Sequence, residues 1–174
     1  LKQVDKAFDI YLQTNDLEVV EPDELVTVMG WDSEKIDWVA VHNGLNTVAA
    51  RVESGQKRAQ IHVILAKICR LKLSDHERAI RHLEESLRNQ WIDEPSYLYL
   101  SEYLGSQKKY ERLISNIKSR MKFAKDDQRS GLIRELLMVP IGLPDREKDA
   151  LAISLYRANP EDHSELYRRF SSYG

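Results

Sequence analysis

The side chains in this sequence best suited to metal chemistry are five histidines and one cysteine. Zinc sites are built from imidazole and thiolate ligands at short, recognisable spacings. His76 and His82 are six residues apart, which does not bring them to one face of a helix, and Cys69 precedes them across a turn. We therefore predict no metal site and no cofactor, and we expect solvated or half-buried histidines, with Cys69 filling the core. The remaining histidines are His42, His62 and His163.

Adjacent acids are the other groups able to do chemistry, as a general acid and base. Such pairs occur at Glu84-Glu85, Asp126-Asp127 and Glu161-Asp162. Most of them fall at helix starts or on polar helix faces, where acids favour the helix dipole and solubility. The sequence has no glycine-rich phosphate loop and places no histidine beside Cys69 to activate it as a nucleophile. We predict that the protein is not an enzyme.

Residues 108–125 carry an excess of positive charge, with Glu111 as their single acid. Acidic residues are instead concentrated between Asp16 and Asp37. Such segregation steers an oppositely charged partner or docks two copies of a chain head to tail. A solvated outer helix face is the simpler interpretation. The candidate electrostatic patch consists of Lys108, Lys109, Arg112, Lys118, Arg120, Lys122 and Lys125.

The composition favours a helix-rich soluble protein: 31% of the 174 residues are charged, and there are only 7 Gly and 5 Pro. A net charge of −2 gives no global attraction to nucleic acid or to an anionic membrane. No stretch approaches about 18 uninterrupted apolar residues, so we expect no membrane insertion. A single cysteine forms no internal disulfide, which favours a cytoplasmic location. Because the first residue is Leu1 and not Met, we expect a fragment of a longer protein.

Apolar residues recur at helical spacing along most of the chain and predict an all-α fold. The segment 22–28 is rich in β-branched residues, so a strand is an alternative there. The third predicted helix is either continuous or interrupted at Asn43-Gly44. We expect it to close at Ser54-Gly55, and we expect Gly105 to form a C-cap. The predicted helices span residues 4–12, 22–28, 34–53, 57–71, 75–87, 94–104, 108–124, 126–139, 144–155 and 160–170.

Apolar residues also return after 34 positions. A period of this length, with helical spacing inside each unit, indicates stacked helix pairs. The pairs that show it are Ala79 and Leu113, Leu83 and Ile117, Leu87 and Met121, and Leu65 and Tyr99, and a further step of 34 gives Ile133, Leu151 and Leu155.

Two units carry a recognisable motif of bulky, small and aromatic or aliphatic residues. The first contains Leu65-Ala66, Cys69, Ala79 and Leu83, and the second contains Tyr97, Leu100-Ser101, Leu104, Tyr110, Leu113 and Ile117. These units resemble tetratricopeptide (TPR) repeats, and a third unit ending near residue 160 resembles them faintly. The sequence departs from the family where Leu113 replaces a small residue and where an extra residue in the turn 73–75 shifts the alignment. The resemblance implies a right-handed α-solenoid of antiparallel helix pairs.

The same resemblance divides the chain into residues 1–55, a divergent helical extension or degenerate repeat, and residues 56–174, TPR-like repeats ending in a capping helix. It implies a protein–protein interaction module or scaffold that holds a partner peptide or helix in a concave groove. The chain lacks the ordered Lys and Asn set with which TPR clamps hold peptide carboxylates. The expected groove residues are Gln60, Val63, Lys67, Arg70, Tyr97, Ser101, Glu135 and Met138.

Two alternatives to this function stay open. A nucleic-acid-binding repeat would use the basic helix 108–125, although the net charge disfavours nucleic acid as the partner. A structural segment of a larger protein, or of a homo-oligomer, would bury the same groove permanently.

Overall fold

Every element that the structure describes is a helix, so the predicted all-α class is confirmed. The computed structural model describes Lys6, Phe8 and residues 21–158, apart from the side chains of Ser33 and Ala158. Of the predicted helix 4–12 it describes Lys6 and Phe8, which are both helical, and the predicted helix 160–170 lies outside the described residues. The helices are α1 Pro22–Val28, a 3₁₀ turn at Ser33–Lys35, α2 Trp38–Arg51, α3 Gly55–Leu71, α4 His76–Arg88, α5 Glu94–Ser106, α6 Tyr110–Met121, α7 Asp126–Met138 and α8 Asp145–Ala158.

Helix starts follow the capping chemistry of the sequence. Pro22 opens α1, which rules out the strand alternative there. Asp75 caps α4 by accepting a hydrogen bond from the Arg78 amide at 2.9 Å. Ser54 caps the start of α3, so the expectation that Ser54-Gly55 closes a helix is wrong.

Helix α2 begins later than predicted. Asp32 caps only the 3₁₀ turn, and Asp37 then accepts hydrogen bonds from the amides of Val39 and Ala40 at 3.1 Å to start α2. Because two aspartates compete as caps within six residues, the chain makes a short turn before the long helix. The helix continues through Asn43-Gly44, so the alternative of an interruption there is wrong.

Left-handed residues end several helices. Gly30, Gln90 and Lys108 have φ values of 64°, 61° and 54°. In each case the amide of this residue and the amide of the next residue donate to carbonyls of the last helical turn, as in a Schellman motif; the Lys109 amide, for example, reaches the Leu104 carbonyl at 2.9 Å. Gly105 is therefore not the C-cap, because α5 continues past it to Ser106.

The chain divides into two compact units, Leu1–Leu100 and Ser101–Gly174. This division falls inside α5. The predicted boundary between residues 55 and 56 concerns the repeats and stays a prediction. In the first unit α3 packs against α1, α2 and α4, which explains why its sequence is apolar around most of its circumference. The buried core of this unit contains Phe8, Leu25, Val41, Leu45, Val48, Ala49, Ile61, Ile64, Leu65 and Ile68.

In the second unit α7 packs against both α6 and α8. Its buried side chains include Ile117, Leu132, Ile133, Leu136 and Leu155. Two residues related by the 34-residue period, Leu83 and Ile117, are both buried, each within its own unit. Equal depth at related positions is what a repeat requires, and the solenoid itself stays a prediction. Among the described residues, none of the helices is both long enough and apolar enough to cross a bilayer.

Candidate functional site

The predicted groove is closed at three of its five positions in the first unit. Val63 is fully buried, Tyr97 is 2% exposed and Lys67 is 9% exposed, whereas Gln60 and Arg70 are half-buried. The expectation of an open face through Val63, Lys67 and Tyr97 is therefore wrong. The physical reason is that α3 contacts helices on more than one side, so the face that looked least apolar in sequence is also covered.

Lys67 forms an internal ion pair. Its Nζ donates to Oε1 of Glu21 at 2.6 Å and lies 3.9 Å from Oδ2 of Asp93. The aliphatic part of the side chain is buried while the ammonium reaches these two carboxylates. Lys67 thus links the residue that precedes α1 to the turn that precedes α5 and is already engaged with its own chain.

Arg70 is covered in a similar way. Its guanidinium carbon lies 4.7 Å from the centre of the Tyr99 ring, and the Tyr99 hydroxyl lies 2.8 Å from Nδ1 of His76. The space left beside Lys67, Arg70 and Tyr99 measures about 10 Å³, enough for one water molecule at most. This part of the predicted groove does not admit a peptide side chain without rearrangement.

The remaining groove positions lie in the second unit. Ser101 and Glu135 are half-buried, and the Ser101 hydroxyl has no hydrogen-bond partner in the described part of the chain. Met138, at the end of α7, is 64% exposed. Of all the predicted groove residues, Met138 alone offers a large apolar surface to a partner.

The basic segment does not form one uniform positive face. Arg120 is buried, Lys118 pairs with Glu147 at 2.7 Å, and Nζ of Lys109 lies 5.7 Å from the centre of the Tyr103 ring. Arg112 is half-buried, whereas Lys108, Lys122 and Lys125 are exposed. Helical geometry distributes the seven positive charges around α6 and its ends, so only part of the predicted patch faces solvent.

Part of this charge borders a pocket of about 310 Å³ inside the second unit. The floor of the pocket is apolar and is made by Met121, Leu136 and Leu151 from α6, α7 and α8. Its rim is charged and is made by Lys118, Lys122, Arg129 and Glu147. We call this feature the basic-rimmed pocket. Such a combination can take up an apolar side chain beside a carboxylate.

A cluster of three histidines and the cysteine lies inside the first unit. His42 comes from α2, His62 and Cys69 from α3, and His82 from α4. Nε2 of His42 lies 2.9 Å from Nε2 of His82, and Nδ1 of His62 lies 3.2 Å from Nδ1 of His82. Sγ of Cys69 and one ring nitrogen each of His42 and His82 all lie within 4.8 Å of one another. We call these four residues the histidine–cysteine cluster.

Burial dominates the electrostatics of this cluster. It lowers the pKa of His82 to about 3, and repulsion from His62 and His42 adds to the effect. It also lowers the pKa values of His42 and His62 and raises the pKa of the Cys69 thiol to about 11. At neutral pH the cluster therefore consists of neutral imidazoles and a protonated thiol.

No protein-family model, curated protein or solved structure gives a significant match to this chain. The TPR resemblance consequently rests on the residues quoted above and stays a prediction.

The histidine–cysteine cluster was missed in the sequence. The expectation that its histidines are solvated or half-buried is wrong for His42 and His82, which are both buried, whereas the placement of Cys69 in the core is confirmed. A signal was present, because His62 and Cys69 are seven residues apart, two turns along one face of α3. His42 likewise falls on the apolar stripe of α2, three residues before Leu45.

Proposed function

We propose that this chain is a non-enzymatic protein-interaction module that binds a partner peptide in the basic-rimmed pocket of its second unit. The single observation that carries the proposal is the meeting of an apolar floor with a cationic rim in a concave site of about 310 Å³. Ligand sites start at about 300 Å³ and combine mostly apolar walls with a few placed polar groups. A cytoplasmic location belongs to the same proposal, since it agrees with a single cysteine that is buried and reduced.

The floor of the pocket supplies the attraction for an apolar anchor. Leu136 is buried, and Met121 and Leu151 are partly exposed at the bottom of the pocket. An aliphatic side chain that covers these groups removes apolar surface from water at about 25 cal/mol per Å². Methionine adapts its shape to different guests, which suits a site for related side chains.

The rim supplies the preference for negative charge. Within the part of the chain that the structure describes, neither Lys122 nor Arg129 pairs with a carboxylate, whereas Lys118 is paired with Glu147. Three cations and one acid give the rim an excess of two positive charges. A partner carboxylate beside the apolar anchor gains charge-assisted hydrogen bonds from Lys122 or Arg129. The preferred partner is therefore a segment with Leu, Ile or Met next to Asp or Glu.

A nucleic-acid partner is less well supported by this site. Proteins that bind single-stranded nucleic acid stack the bases on aromatic side chains, and the described lining of the pocket contains no aromatic residue. The apolar floor would have no use in binding a phosphate backbone. The test therefore includes single-stranded RNA as a competitor for the bound peptide.

The test is selection of a random peptide library displayed on phage against the purified chain, followed by fluorescence anisotropy with a synthetic peptide from the selected set. We expect selected peptides to pair acidic with aliphatic residues. The variant Lys122→Glu/Arg129→Glu should weaken binding of that peptide at least tenfold. The control Lys125→Glu/Arg146→Glu changes net charge equally at exposed positions that do not line the pocket, and it should bind as the unmodified chain does.

Three results would overturn the proposal. The first is a selected set without acidic and aliphatic enrichment. The second is equal loss of binding in both double variants, which would show a diffuse charge effect. The third is displacement of the peptide by single-stranded RNA at low concentration, together with the steep salt dependence of phosphate contacts, because that result would favour nucleic acid as the natural ligand.

A further inference from the structure

We propose that His42, Cys69 and His82 form a binding site for one Zn²⁺ ion in the first unit. The three side chains come from α2, α3 and α4, and their ligand atoms lie within 4.8 Å of one another. Convergence of two imidazoles and a thiol from three different helices is a property of the packed unit, and no other described side chains of the chain bring three such ligand atoms together. The inference is independent of the basic-rimmed pocket, which lies in the other unit.

The spacing agrees with tetrahedral zinc. Zn–N bonds of about 2.0–2.1 Å at the tetrahedral angle place two ligand nitrogens about 3.3 Å apart, and a nitrogen and a sulfur about 3.6 Å apart. Nε2 of His42 and Nε2 of His82 are 2.9 Å apart. These nitrogens must separate by a few tenths of an ångström, and Sγ of Cys69, which lies within 4.8 Å of one ring nitrogen of each histidine, must approach its ligand nitrogens by about 1.2 Å at most. We expect changes in side-chain torsion angles to provide movements of this size.

The ligand types select the metal. Imidazole and thiolate are preferred by zinc and its neighbours in the first transition series, whereas Mg²⁺ and Ca²⁺ prefer oxygen ligands. Two imidazoles and one thiolate leave the fourth tetrahedral position to water or another exchangeable ligand. Zinc binds the Cys69 thiolate, so the ion and its ligand together add one positive charge, whereas a hard cation that leaves the thiol protonated would add two. The smaller added charge is favoured because the Arg78 guanidinium is nearby, although it is paired with Asp75.

A hydrogen-bonded shell is already in place around the two imidazole ligands. Nδ1 of His42 lies 3.3 Å from Oδ1 of Asn43, and Nδ1 of His82 lies 3.2 Å from Nδ1 of His62. In zinc proteins the ring nitrogen opposite the metal usually donates a hydrogen bond of this kind, which fixes the tautomer and the ring orientation. His62 and Asn43 are thus positioning residues for the ligands His82 and His42.

The proton balance of binding follows from these contacts. Without metal, a consistent arrangement has His62 donating to Nδ1 of His82, and His82 donating through Nε2 to His42. On binding, the proton on Nε2 of His82 leaves to solvent so that the ion can bind there, the proton on Nδ1 of His62 moves to Nδ1 of His82, and His62 takes up a proton from solvent on Nε2. The imidazoles keep their number of protons, and Cys69 releases one proton to solvent as its sulfur binds Zn²⁺.

The competing account is a histidine cluster held together by hydrogen bonds alone. It predicts the same distances without metal but no defined response to a divalent cation. Spectroscopy with Co²⁺ separates the two accounts, because a tetrahedral Co²⁺ ion bound to thiolate gives a charge-transfer band in the near ultraviolet and intense visible bands. Histidines acting through hydrogen bonds give neither band.

The experiment uses the full chain after removal of metal by EDTA and dialysis. Zn²⁺ alone is titrated by calorimetry, and Co²⁺ alone is followed by absorption. We expect one ion per chain, with the charge-transfer band present. Cys69→Ala should abolish the band, and His82→Asn should weaken Zn²⁺ binding by more than about 100-fold, beyond the range of an outer-shell change. His62→Gln should weaken it about 10- to 100-fold and keep the thiolate band, as expected for a positioning residue.

His76→Gln is the matched control, because His76 is exposed, lies at the start of α4 and is outside the histidine–cysteine cluster. It should bind Zn²⁺ like the unmodified chain. Circular dichroism confirms that each variant keeps its helices. A binding curve unchanged by Cys69→Ala, or lost in His76→Gln, overturns the site. A chain that shows no thiolate band with Co²⁺ and no heat with Zn²⁺ also overturns it and leaves the hydrogen-bonded histidine cluster as the account.

Discussion

Nε2 of His42 and Nε2 of His82 lie 2.9 Å apart in the first unit, although 40 residues separate them in the sequence. Both rings are buried, and both have pKa values below that of a free histidine because burial disfavours their charged forms. Close contact of two imidazoles is tolerated because a neutral ring has an acceptor nitrogen for the N–H of the other ring, whereas two charged rings would both be donors. This side-chain contact between α2 and α4 is therefore sensitive to protonation and, through the proposed ion, to zinc.

The first prediction concerns pH in the presence of EDTA. His82 has a pKa of about 3 in the folded chain and about 6.5 when unfolded, so between these values the unfolded chain binds more protons. The free energy of unfolding should thus be highest above pH 6.5 and fall as the pH is lowered towards 3, by up to about 1.4 kcal/mol per pH unit from this group. Urea unfolding at a series of pH values measures the slope.

The variant His82→Gln serves as the control for this prediction because it cannot titrate. Its stability should depend less on pH between 4 and 6 than that of the unmodified chain. Proton NMR should also show that the His82 ring signals do not shift between pH 5 and 8. A normal titration of His82 near pH 6.5 would contradict the burial that lowers its pKa.

The second prediction tests the 34-residue pattern. Leu83 is 1% exposed and belongs to a repeating pair, so Leu83→Ala should cost about 2–5 kcal/mol through lost burial and the cavity that remains. Leu98 is 50% exposed and does not belong to the pattern, so Leu98→Ala should change stability by less than about 0.5 kcal/mol. Denaturant unfolding provides both values. Equal losses of stability at the two leucines would show that Leu83, inside the 34-residue pattern, is no more buried than Leu98, outside it.

Most helices could be predicted from the sequence, because their capping residues and apolar stripes lie within the helical segment itself. Pro22, Asp75 and the apolar stripes gave the starts and faces of α1, α4 and most other helices to within a few residues. The start of α2 was missed because Asp32 and Asp37 are both good caps, and sequence alone does not decide between them. Lys108 illustrates the same limit: it is the left-handed residue after the end of α5, three residues beyond Gly105, the glycine that was expected to form the C-cap.

The groove, the histidine–cysteine cluster and the basic-rimmed pocket were much harder to predict, because they depend on which helices pack side by side. Val63 and Lys67 looked exposed from the polarity of their helical face, yet α3 is enclosed by other helices. The three proposed zinc ligands come from three helices, so no spacing within one helix reveals them. The basic-rimmed pocket likewise needs side chains from α6, α7 and α8, whereas the sequence pattern marked only the charges of one helix.

The third prediction compares two lysines near the end of α3 that pair with acids at the start of α1. Lys67 is buried between Glu21 and Asp93, whereas the Lys72 pair with Asp23 is more exposed. Lys67→Met should lower stability by about 1.5–3 kcal/mol, because the half-buried Asp93 carboxylate loses its counter-charge. Lys72→Met should cost about 0–1 kcal/mol, as is usual for exposed pairs.

Thermal and urea unfolding at low and high salt distinguish the two lysines. Added salt should reduce the contribution of Lys72 more than that of Lys67, because exposed charges are screened more strongly than buried ones. If Lys67→Met lowered stability as little as Lys72→Met does, Lys67 would behave as a surface residue. It would then again be a candidate residue of the predicted groove.

The last prediction contrasts two glycines of the second unit whose substitution by alanine should act in opposite directions. Gly142 has a φ of +102°, and a Cβ there would lie 2.7 Å from Cδ1 of Ile114. Gly142→Ala should therefore cost at least about 1–3 kcal/mol through backbone strain and displacement of the Ile114 side chain. Gly105 lies inside α5 with no atom near its hypothetical Cβ, so Gly105→Ala should stabilise the chain by about 0.5–1 kcal/mol. Urea midpoints of the two variants should move to opposite sides of that of the unmodified chain. A gain in stability from Gly142→Ala would mean that the turn between α7 and α8 does not adopt this backbone conformation in solution.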